Sequence, residues 1–88
     1  MSEWFVNISC FLRTEGRDRS LEIRISEPFP VHGEVEYRCL VQSSELLRHD
    51  VEIAGIDANQ ARALSVAFVK SMTGDAELID QDGNPVVL

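Results

Sequence analysis

Hydrophobic and polar residues alternate along four stretches of this chain. From Trp4 to Leu12, the residues Trp4, Val6, Ile8, Cys10 and Leu12 share one side, while Asn7 and Ser9 share the other. A period of two marks a strand with one buried face. A polar turn, Thr14–Arg19, follows and contains Gly16. From Ser20 to Ser26 the alternation returns, with Leu21, Ile23 and Ile25 inward and Glu22 and Arg24 outward. Residues 27–33 carry Pro28 and Pro30, which donate nothing to a ladder, and read as a loop. Residues 34–41 form a third strand pattern, with Val35, Tyr37, Cys39 and Val41 inward and Glu34, Glu36 and Arg38 outward. After a loop at 43–49, residues 50–56 form a fourth, with Val51 and Ile53 inward.

The period changes after Gly55. Asp57 stands where a helix N-cap belongs, and Gln60 three residues on completes a D-x-x-Q capping box. Ile56 and Ala61 are spaced for a hydrophobic staple. Ala61, Leu64, Phe68 and Met72 then recur as one apolar helical stripe, and Gly74 stops the helix. In the last segment, Asp82-Gly83 between apolar pairs is a hairpin signal. The expected fold is α+β, one domain over 1–88: an antiparallel four-stranded meander, one helix packed on one face, and a C-terminal strand or hairpin.

Composition narrows the partners. The 88 residues suit one domain with a small core, and a hydrophobic fraction of 44% is globular rather than disordered. Eight basic residues against fifteen acidic give a net charge of −7, which argues against nucleic acid and anionic membranes and for a basic protein. The imbalance concentrates in residues 49–88, which hold two basic and seven acidic residues. No stretch reaches the ~18 apolar residues of a membrane span. The first residues lack the basic region and small-residue cleavage site of a signal peptide, so a cytoplasmic location is expected. There, Cys10 and Cys39 are expected as buried thiols.

Candidate chemistry is sparse. Gly55 stands alone without the further glycines or lysine of a phosphate loop, and Asp57 would repel a phosphate. Asp80 and Asp82 match the first positions of a calcium loop, but Pro85 occupies the position that needs glycine. Cys10, Cys39, His32 and His49 lack the close pairing of a structural zinc site. A Cys39–His49–Asp57 triad fails because Cys39 lies on the buried face of its strand. No catalytic residue, metal or cofactor is therefore expected, and the chain is read as a non-enzyme. Apolar residues in polar places are more suggestive. Phe5, Phe11 and Leu40 fall on the polar sides of their strands, and Leu46 and Leu47 sit in a loop. Clustered exposed hydrophobes mark interfaces.

Two stretches taken together, Tyr37–Val41 and Gly55–Val69, resemble a family of small bacterial α+β proteins of uncharacterised function. That family's pattern is an aromatic-Arg-Cys strand followed by G-[VI]-D-x-x-Q-A-L leading into a helix. Gly55, Ile56, Asp57, Gln60 and Ala61 fit, while Arg62 stands in place of the leucine. The resemblance covers residues 20–73. It implies the fold and a loose association with accessory or immunity-type proteins, and no activity.

The leading expectation is a non-enzymatic protein-interaction domain of the bacterial cytoplasm. Its sharper form is an immunity-like inhibitor of a basic partner such as a nuclease toxin. Asp75, Glu77, Asp80 and Asp82 would be the acidic contacts, joined by Phe5, Phe11, Leu40, Leu46 and Leu47. One alternative is a small enzyme or ligand-binding protein with a shallow site near the helix N-terminus, where Arg38, His49 and Asp57 would converge. Another is a homodimer formed through an exposed strand edge, with no other assignable role.

Overall fold

A computed structural model of the chain describes residues 4–33, 35–74 and 76–88. The elements run β1 (Trp4–Thr14), β2 (Arg17–Ser26), β3 (Phe29–Pro30), β4 (Tyr37–Gln42), β5 (Val51–Gly55), α1 (Ala58–Thr73) and β6 (Glu77–Ile79). The fold is α+β, and every strand pairing is antiparallel. β4 is the pivot. β5 pairs one of its edges from Tyr37 to Val41, and the other edge takes β2 at Val41 and Gln42 and β3 at Tyr37 and Arg38. β2 and β3 thus lie in line, interrupted at Glu27 and Pro28. Proline cannot donate to the ladder, and the Ser26 hydroxyl fills the gap by accepting the Leu40 N–H at 2.8 Å.

The sheet has six strands where periodicity predicts four. β3 is one addition, too short and proline-rich to show a period. β6 is the other: it pairs with β1 at Phe11–Arg13, and a turn then brings Pro85 back beside Ile79, so the C-terminal segment is both an edge strand and a hairpin. The turn between β1 and β2 is also tighter than the polar run 14–19 suggests. Only Glu15 and Gly16 turn, at φ 51° and 77°, the left-handed pair that matches the twist of a hairpin. Polar residues continue the ladder on both sides, and Arg13 pairs with Asp18 across it at 2.9 Å. The β1–β2 hairpin, flanked by β6, projects beyond β4, and the molecule is elongated, at 47 × 27 × 22 Å.

The core lies between the sheet and α1. It gathers Cys10, Leu21, Ile23, Ile25, Cys39, Val41, Ala61 and Val69, the alternating inward set of β1, β2 and β4. α1 packs chiefly on β4 and β5. Its buried residues are Ala61, Ser65 and Val69, so the stripe is rotated from the one predicted, and Leu64 and Met72 stay partly exposed. Ser65 tolerates burial because its hydroxyl donates to the Ala61 carbonyl at 2.8 Å.

Three further expectations are corrected. Val35 is 93% exposed, because β4 begins only at Tyr37, after the 31–36 turn closed by the Val31 N–H to Glu36 carbonyl bond. Trp4 and Phe5 exchange faces. Trp4 opposes Ser26 and Val6 opposes Ile25, so Phe5 is the extra residue of a β-bulge, and the alternation shifts by one there. The capping box is also displaced. Asp57 Oδ1 accepts the Gln60 N–H at 2.7 Å as expected, but Gln60 Oε1 accepts the Ile56 N–H at 2.7 Å. Ile56 is 69% exposed and makes no staple.

Gly55 is buried at the end of β5 because the first turn of α1 rests on it. A Cβ there would lie 2.5 Å from the Ala61 nitrogen. The glycine is a packing requirement, one of the known reasons for glycine in a strand.

Candidate functional site

The face of the sheet away from α1 carries no helix. Alternation places Arg24 of β2 there, together with Leu40 and Gln42 of β4 and Glu52 and Ala54 of β5. The bulge in β1 adds Trp4, and the Phe29–Arg38 pairing adds Phe29. The Arg24 guanidinium stacks over the Trp4 ring at 5.7 Å from its centroid. It also lies 3.8 Å from Glu22. Its Nε is cut off from solvent and has no hydrogen-bond partner among the described residues. Arg38 is held between Glu36 at 2.6 Å and Glu52 at 3.1 Å, and these two bonds raise its already high pKa.

Beside Arg24 the 43–50 loop builds one wall of an open groove of about 350 Å³, lined by Glu22, Arg24, Gln42, Arg48, His49 and Asp50 among others. Gln42 donates to Asp50 Oδ2 at 2.9 Å, and His49 Nδ1 lies 3.0 Å from the Asp50 carbonyl. The loop also guards the stretch of β2 that β4 leaves unpaired. Glu45 Oε1 accepts the Glu22 N–H at 3.2 Å, and that bond holds the Glu45 carboxyl below the usual range. Across this face, the four carboxylates of Glu22, Glu36, Asp50 and Glu52 stand against the three guanidinium groups of Arg24, Arg38 and Arg48.

The residues singled out from sequence do not form one patch. Phe5 lies on the helix side, under the Arg62 guanidinium at 5.7 Å. Phe11 is on the opposite face, beside buried Ile79 of β6. Leu40 is half-buried on the helix-free face, and Leu46 and Leu47 pack against the core, bordering a crevice with Phe68 and Met72. Of the acidic set, Glu77 opposes Arg13. Asp80 is half-buried and turns its carboxylate inward, accepting the Asp82 and Asn84 N–H groups at 2.8 and 3.0 Å. Asp82 is exposed, and Asp75 lies outside the described residues.

Arg38, His49 and Asp57 do not converge either. His49 precedes β5 and Asp57 follows it, so a strand of five residues, roughly 17 Å, separates them. Cys39 is fully buried beneath α1, where burial raises its thiol pKa and the neighbouring Ser65 hydroxyl offsets part of the rise. Burial likewise raises that of Cys10. A reactive thiol needs the reverse setting. Among the described residues, no three of His, Cys, Asp and Glu stand close enough to share a metal ion. None of the described helices is long and apolar enough to cross a membrane. Trp4 and Arg24 are the site residues that sequence reasoning missed. The β-bulge that turns Trp4 outward has no local sequence signal.

Comparison with protein-family models, curated proteins and solved structures returned no match.

Proposed function

We propose that this protein is a non-enzymatic protein-interaction domain whose helix-free sheet face binds a basic segment of a partner. The observation that carries the reading is the Trp4–Arg24 stack on that open face. Tryptophan and arginine are the residue types most enriched among energetic anchors of interfaces. Phe29 and Leu40 supply apolar surface beside them, and the surplus of carboxylates supplies the sign. Acidic rims speed the approach of basic partners more than they add affinity. An immunity-like inhibitor in the bacterial cytoplasm, acting on a basic toxin, is the sharper form of this reading.

The test is capture from extract of the source organism, with binding then measured on the purified basic partner. Trp4 is the only tryptophan, so its emission reports on the site directly. Trp4→Ala and Arg24→Ala are each expected to weaken binding by tenfold or more, the ~1.4 kcal/mol of a modest anchor. Raised salt should slow association. If both variants bind as the native protein does and Trp4 emission is unmoved, the reading fails.

A further inference from the structure

Each free stretch of strand edge in a sheet is a template for pairing with another chain, and proteins blunt such edges with charge, proline, bulges or cover. Among the described residues, the open edge of β1 ahead of Phe11 carries the bulge at Phe5, β3 carries Pro30, and two further stretches are covered. Glu45 caps the open part of β2, and the returning C-terminal segment with Pro85 lies along β6. β5, Val-Glu-Ile-Ala-Gly, pairs only with β4 among the described residues, and its outer edge is bare. It contains no lysine, proline or bulge, and its one charge, Glu52, is drawn inward onto Arg38 at 3.1 Å.

The helix above this edge sets Leu64 on the same side, between Gln60 and Ser71. Arg62 reaches Glu27 and Phe5, so its flank of α1 faces β1 and β2. Leu64, two positions and about 200° further round, lies on the other flank, over the β5 edge. It is 43% exposed, and Ile56 at the same end of β5 is more exposed still.

We infer that β5 pairs antiparallel with β5 of a second copy, about a twofold axis at Ile53, with the Leu64 flanks of the two helices packing side by side. Isologous pairing of this kind is self-complementary. In this register Ile53 faces its counterpart and Glu52 faces Ala54 of the second copy, so no like charges oppose. The inference stands independently of any partner on the helix-free face.

Sedimentation of the purified protein should give twice the 9.9 kDa chain mass. Leu64→Lys, at an exposed position, should weaken the dimer tenfold or more, with circular dichroism unchanged. Pairing itself is read with Glu52→Cys plus Ala54→Cys. Directly opposed strand residues have Cα atoms ~4.5–5.5 Å apart, within disulfide reach. Mild oxidation should therefore give a covalent dimer, while buried Cys10 and Cys39 stay silent. A monomer at all concentrations overturns the inference. So does a dimer that ignores Leu64→Lys, or one in which the two new cysteines fail to cross-link.

Discussion

Gly55→Ala offers a sharp check on how the helix meets the sheet. An added methyl would sit 2.5 Å from the Ala61 nitrogen, and 2.9 Å from both Ala61 Cα and the Gln60 carbonyl carbon. Carbon atoms pack best at about 3.5–4.0 Å, so the gap is short by about 1 Å. All three atoms are backbone, so no side-chain rotation relieves the clash. The first turn of α1 cannot slide freely either, because Asp57 holds the Gln60 N–H at 2.7 Å. Overpacking of this kind costs about 1–3 kcal/mol, and the backbone contact places this case near the upper end. For a domain of this size each kcal/mol moves the melting temperature by ~4–8 °C, so a loss of about 10–20 °C is expected. Equilibrium urea unfolding should show a lower midpoint with an unchanged slope. The opposite sign is the ordinary result, since replacing glycine by alanine in a strand usually gains about 0.5–1 kcal/mol. A variant within about 0.5 kcal/mol of the native protein would refute the close approach of α1 to β5.

Other perturbations separate local from tertiary effects. Asp57→Ala removes the acceptor for the Gln60 N–H and should cost about 1 kcal/mol in urea unfolding. Val35→Ser should be neutral within about 0.5 kcal/mol, because Val35 is exposed, whereas Ile23→Ala in the core should cost about 2–5 kcal/mol by the same assay. Cys10 and Cys39 should resist a thiol reagent at pH 8 until the chain is unfolded, since burial raises both pKa values above the usual 9.0. With the folded pKa above the unfolded one, their contribution to stability is complete below about pH 9 and declines as pH rises beyond it, which urea midpoints at pH 8 and 10 would reveal.

Much of this architecture is written locally. The inward faces of Leu21, Ile23 and Ile25, and of Cys39 and Val41, follow from a period of two. The N-cap at Asp57, the α+β class and the Asp82-Gly83 turn follow from residue types that suit only certain backbone geometries. These features depend on neighbours a few positions away, so the chain alone determined them. Tertiary structure decided the rest, because it depends on which backbone lies alongside which. The β1 bulge exists only in register with β2, and it alone sends Trp4 to Arg24 and Phe5 to Arg62. Val35 alternates like a core residue but lies outside β4, whose first ladder partner on β5 is Gly55. The predicted stripe Ala61–Leu64–Phe68–Met72 is apolar, yet Ser65 takes the buried place because α1 lies over β4 and β5 rather than the centre of the sheet. Hydrophobic periodicity records that a residue prefers to leave water. Only the long-range pairing of strands decides which surface it meets, and which edges and faces remain open.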